Sequence, residues 1–132
     1  MLNLYRLSAL AIPAILALSA CATTRGAPLP DGSNVALGQK AYVDGPIVQP
    51  IEVLEDSRCP MNARCVWAGR VRVKMLWIRG NGEKQPFEVT LGESTPLADG
   101  SITLESVRPD KMTNVKLKPS DYRFSFRFAG GY

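Results

Sequence analysis

The stretch "RVRVKMLW", residues 70–77, alternates basic and apolar side chains: Val71, Val73, Met75 and Trp77 fall on one parity, Arg70, Arg72 and Lys74 on the other. Successive side chains of a β-strand point to opposite faces, so this reads as a strand with one face in a core and a cationic stripe on the other. "YRFSFRF", residues 122–128, repeats the design, with Tyr122, Phe124, Phe126 and Phe128 inward and Arg123, Ser125 and Arg127 outward. From Val35 onward no window carries helical spacing, and five further stretches read as strands, at 35–43, 47–55, 86–91, 101–107 and 114–118. Pro50 confines part of the second to an edge or a bulge. Asn81-Gly82 tolerates the positive φ of a tight hairpin, and Asp99-Gly100 marks another turn. Seven short strands separated by turns predict an all-β fold: one small antiparallel β-sandwich or barrel-like domain over residues 35–132.

The first twenty residues are of a different kind. A start carrying Arg6 leads into an apolar run from Leu7 to Leu18, too short for the roughly 20 residues that cross a bilayer and of the length found in secretory signals. Residues 18–21, "LSAC", resemble the lipobox of bacterial lipoproteins: a branched apolar residue, two small ones, then cysteine. The resemblance implies a signal peptide over 1–20 that is removed, a diacylglyceryl thioether on Cys21 and acylation of its new amino terminus, palmitate being a typical chain. Several acyl chains give stable anchoring where one is marginal. Ala22, not aspartate, implies sorting to the outer membrane, facing the periplasm. Residues 21–34 then read as the lipidated cysteine and a tether rich in Pro, Gly and small residues, with a reach on the order of 20 Å.

Without Arg6 the chain keeps 15 basic and 12 acidic residues, a net +3. That excess suits anionic lipid or glycan better than a nucleic-acid backbone, so no nucleic-acid partner is expected. The chain has no histidine, which removes serine–histidine and cysteine–histidine pairs, and it has no phosphate-binding glycine loop. Glu52, Glu55 and Asp56 cluster before the cysteines, but a chain of this length encloses a sugar poorly; they are expected to solvate a strand end or to pair with Arg58. The sequence is read as non-catalytic, with no cofactor and no metal.

Attention then falls on "DSRCPMNARCVWAG", residues 56–69. With Cys21 taken by lipid, Cys59 and Cys65 are the remaining thiols, and an oxidising compartment lets them pair. Three functional readings stand beside this structural one. A redox couple normally shows C-x-x-C at a helix start. Cys59, Met61 and Cys65 would bind monovalent copper only if they stayed reduced. A braced loop would offer Met61 or Arg64 to a partner, as inhibitor loops do. Trp67, on the parity of Val71 and Val73, is expected against the core, and Gly69 is expected to mark a bulge.

The same fourteen residues resemble a D-S-R-C-P-x4-C-[VI]-W-A-G signature of small bacterial envelope lipoproteins, matched here from Asp56 to Gly69. The resemblance implies an envelope protein with a β-rich fold and no particular activity. "LKPSDYRFSF", residues 116–125, also resembles the leucine–proline–tyrosine approach to a late strand of fibronectin-like sandwiches, with the spacing shifted by one. The expectation is therefore a monomeric, lipid-anchored binding or structural module of the envelope. Its partner would be an envelope protein or an anionic glycolipid, met through Met61 and Arg64 or through Arg70, Arg72 and Lys74. The alternative is a periplasmic inhibitor of a hydrolase that uses the Cys59–Cys65 loop.

Overall fold

The computed structural model describes residues 11–14 and 29–130. The expected signal peptide, Cys21 and the chain as far as residue 28 lie outside the described residues, apart from positions 11–14. The eight strands are β1 (Val35–Ala36), β2 (Ala41–Tyr42), β3 (Ile47–Asp56), β4 (Val71–Ile78), β5 (Lys84–Thr90), β6 (Ser94–Leu97), β7 (Gly100–Arg108) and β8 (Arg123–Gly130). They form two four-stranded antiparallel sheets, ordered β1-β8-β7-β6 and β2-β3-β4-β5, packed as a sandwich that does not close into a barrel.

The alternation in 70–77 and 122–128 generates the core. Val71, Val73 and Met75 of β4 and Phe124, Phe126 and Phe128 of β8 are buried in one core shared by the two sheets, together with Val48, Val89, Ile102 and Leu104. Trp77 is half-buried at the margin, where the Arg79 guanidinium lies 5.0 Å from its ring. Pro50 sits at a register shift between Pro50 and Glu52, the bulge its missing N–H invites. The β4–β5 hairpin turns at Gly82, φ +85°, whose N–H donates to the Arg79 carbonyl. At the β6–β7 turn Gly100 has a steric reason: a Cβ there would lie 2.0 Å from the Ala129 carbonyl oxygen.

Three segments depart from the strand pattern. Residues 35–43 do not form one strand; they split into β1 and β2 in opposite sheets, joined by a turn at Gly38, φ +82°. Residues 114–118 form no strand and pair with neither sheet; they lie in the connection between β7 and β8. Residues 94–97 do form one, held by the hairpin to β7. The domain also begins ahead of Val35: the Pro30 carbonyl accepts from Tyr42 N–H at 2.9 Å, the Gly32 carbonyl from Phe126 N–H at 2.6 Å, and Gly32 is buried. Among the described residues every strand and every core residue thus lies within 30–130.

Candidate functional site

The signature occupies the loop from the end of β3 to the start of β4. Cys59 and Cys65 are disulfide-bonded, with Cα atoms 5.8 Å apart. Neither sulfur is then a thiolate able to ligate a soft metal. The neck below the ring is closed by Ser57, whose N–H donates to the Arg70 carbonyl at 2.9 Å and whose Oγ accepts from Arg70 N–H at 2.9 Å. Gly69 passes so close to this neck that a Cβ would lie 1.5 Å from the Ser57 carbonyl oxygen. Its glycine answers a close backbone approach, not the expected strand bulge.

Asp56 and Arg58 fix the neck to the other sheet. Arg58 Nε and Nη2 each donate to the Asp56 carboxylate at 2.9 Å, and Nη1 donates to the Val107 carbonyl of β7 at 2.9 Å. The Tyr122 hydroxyl donates to Asp56 Oδ2 at 2.8 Å, and Lys111 Nζ donates to the Asp56 carbonyl at 2.9 Å. The side chains of Asp56 and Arg58 are only 7% and 14% exposed, so this bidentate pair is a mostly desolvated junction with its oxygens satisfied. Burial pushes the Asp56 carboxyl upward, but the hydrogen bonds from Arg58 and Tyr122 and the Arg58 charge hold it below the usual range. Burial, then the bond to Asp56, pushes Tyr122 up to about 12. The fibronectin-like hint thus finds a buried tyrosine at the lead-in to the last strand, although its hydroxyl bonds a carboxylate where a tyrosine corner bonds backbone.

A second loop, between β7 and β8, braces the first. Met61 N–H donates to the Lys111 carbonyl at 2.8 Å, and Thr113 N–H to Asn62 Oδ1 at 2.8 Å. Outward from this frame stand Met61 (69% exposed), Val66 (91%) and Trp67 (83%), with Met112 and Val115 exposed on the neighbouring loop. Trp67 is therefore not in the core, contrary to the parity argument. The Ser57–Arg70 clamp ends the alternation, and β4 starts only at Val71. Val66 and Trp67 are the tip residues that sequence reasoning missed, and the W-A-G of the signature was the signal at hand.

The basic stripe is mostly neutralised. Arg70 Nε lies 2.7 Å from Glu55 Oε2, Arg72 pairs with Glu55 and Glu88, and Lys74 stands in register between Glu52 and Glu88. Arg123 and Arg127 do not extend it, since β8 belongs to the other sheet; Arg127 pairs with Glu105 at 3.1 Å. The acidic cluster is divided in the same way, Glu55 bound outside by Arg70 and Arg72, Asp56 inside by Arg58. A cleft of about 450 Å³ between β3 and residues 117–122 is lined by Glu52, Glu55 and Asp56. The bond from Arg70 lowers Glu55, and Asp56 is lowered as well, so neither carboxyl keeps a proton near neutral pH to act as a general acid.

No protein-family model, no curated protein and no solved structure matches this chain. What the braced end of the sandwich does is therefore argued from its own residues.

Proposed function

We propose that this chain is a lipid-anchored protein of the bacterial envelope, held through Cys21 in the outer membrane and facing the periplasm. In this reading it is a non-catalytic binding module whose contact surface is the disulfide-braced tip. One observation carries the proposal: Trp67, a large aromatic, stands 83% exposed beside an equally exposed Val66, on a loop tied down by a disulfide and a buried ion pair. An exposed tryptophan adds nothing to the core, whereas a rigid aromatic anchor is the usual centre of a binding surface. Arg70, Arg72 and Lys74 serve in this reading as the mostly charge-paired outer face of a strand held between β3 and β5.

A hydrolase inhibitor is the second reading, favoured by Met61, 69% exposed inside the disulfide ring and fixed through its own N–H to Lys111. The test places a photoreactive amino acid at Trp67 and, as control, at the exposed Gln85 of β5, in cells exporting the full chain. The module predicts crosslinks from 67, to protein or to lipid, and none from 85; silence at 67 toward both would contradict it. A protease and lysozyme panel, repeated with Met61→Ala and Arg64→Ala, separates the inhibitor. Palmitate-analogue labelling of wild type but not of Cys21→Ser checks the anchor.

A further inference from the structure

We propose that the partner of the tip is an anionic phospholipid bilayer, so that the anchored domain is attached at two points, by its lipid at one end and by the tip at the other. This rests on reading the tip as the contact surface and Cys21 as the lipid carrier. Three observations support it.

The first is charge. Residues 59–69 and 111–118, within the two loops that make this end, contain no aspartate or glutamate and carry Arg64, Lys111, Lys116 and Lys118; of the flanking carboxylates, Asp110 pairs with Arg108 at 3.5 Å and Asp121 accepts from Lys118 N–H at 2.8 Å. Lys111 is engaged with the Asp56 carbonyl; among the described residues the other three make no ion pair. Elsewhere among the described residues Arg70, Arg72, Arg79, Arg108 and Arg127 pair with carboxylates and Lys40, Lys74, Lys84 and Arg123 make no ion pair, so what sets this end apart is that its two stretches carry cations and no carboxylate of their own.

The second is shape. Of the clefts of about 580, 450 and 210 Å³, the second reaches this end at Leu117, and none of the three is lined by Met61, Val66, Trp67, Met112 or Val115. Met61, Val66, Trp67, Met112 and Val115 are exposed on the two loops and lie outside those three clefts. Separate apolar points on two loops that also carry Lys and Arg suit a planar, deformable interface, where tryptophan settles at headgroup depth and the cations meet lipid phosphates.

The third is the route of the chain. Pro30 is bonded to Tyr42, which pairs with Ile47, itself opposite Ile78; the tip hangs from Asp56 and Val71 at the far ends of β3 and β4. The ten residues of β3 separate the two ends by about 30 Å. The eight residue steps from Cys21 to Leu29 reach at most about 27 Å when fully extended. Standing on its tip would stretch this connection to its limit. Lying with β3 along the surface lets both ends touch at once. Because the anchor makes the second contact intramolecular, at an effective concentration of about millimolar, weak affinity for lipid is enough.

The test uses the unlipidated chain, residues 22–132, which contains the whole sandwich, with vesicles of phosphatidylethanolamine and phosphatidylglycerol against vesicles of phosphatidylcholine. The expected result is phosphatidylglycerol-dependent, salt-sensitive cosedimentation, at least about thirtyfold weaker for Arg64→Glu with Lys116→Glu and lost in Trp67→Ala. In a Trp77→Phe background Trp67 emission should shift to the blue on the anionic vesicles; sedimentation of the wild type needs no such background. Sedimentation that is absent at millimolar lipid, or indifferent to phosphatidylglycerol, overturns the proposal. Crosslinks from position 67 to a protein in the same cells would then leave the binding reading standing without the bilayer; no crosslink and no vesicle binding would sink both.

Discussion

Tyr122 Oη lies 2.8 Å from Asp56 Oδ2, joining residues 66 apart in sequence and fixing the lead-in to the last strand onto the neck of the signature loop. The bond is made by the neutral phenol to an ionised carboxylate, and each partner's titration records it. Tyr122 is pushed up to about 12 from 10.0, so its contribution to stability is complete below pH 10 and is lost as pH rises through about 12. Tyr122→Phe is expected to cost about 1–2 kcal/mol at pH 7. It should also flatten the difference in stability between pH 10 and pH 12. Urea titrations of both proteins at these pH values check it.

Asp56 has the opposite sign. Its folded carboxyl is held below the ordinary value of 3.8, so its contribution is present above about pH 4 and lost as pH falls through the lowered value. Asp56→Ala leaves Arg58 mostly buried without its partner and should cost about 3 kcal/mol at neutral pH. Most of that deficit should vanish at the acid end of the wild-type transition. Unfolding midpoints measured from pH 7 downward decide the matter.

Gly69→Ala should be among the most damaging single-methyl changes in the chain, at about 2–3 kcal/mol, because the added carbon meets the Ser57 carbonyl oxygen at 1.5 Å and both are backbone. Gly80→Ala, where a Cβ meets nothing within 4 Å, is the control and should shift stability by less than about 0.5 kcal/mol. Thermal midpoints of the two variants compare them.

The two faces of the parity argument separate under mutation. Met75 is fully buried, and Met75→Ala should cost about 2–4 kcal/mol. Trp67→Ala should leave stability within about 0.5 kcal/mol of wild type, since Trp67 is 83% exposed. A large loss from Trp67→Ala in a chemical denaturation curve would return Trp67 to the core.

Much of the fold could be read from alternation because both sheets of a sandwich bury one face, and Val71, Val73, Met75, Phe124, Phe126 and Phe128 carry that period without interruption. Where the period crosses a break that it cannot register, it misleads. Trp67 keeps the parity of Val71, but the Ser57–Arg70 clamp lies between them, and a clamp of that kind is made by partners thirteen residues apart. "NVKLK" alternates as well as any strand here, yet a strand also needs a paired neighbour, and pairing belongs to topology. Residues 94–97 failed in the opposite direction: "STPL" has no signal of its own and is a strand because β7 folds back on it. At the site, the disulfide and the pairing of Asp56 with Arg58 were legible, being local. The reach of Arg58 to Val107 and of Tyr122 to Asp56 spans the two sheets, and no spacing in the chain announces it.

The central claim is that residues 56–69 build a fixed, outward-facing tip. Backbone ¹⁵N relaxation of the oxidised protein tests it most directly, read at Met61, Val66 and Trp67 against Val73 of β4. A fixed tip predicts order parameters near those of the strand, about 0.85, falling below about 0.6 in Cys59→Ser with Cys65→Ser while β4 is unchanged. Values below about 0.6 at the tip of the oxidised wild type would contradict it.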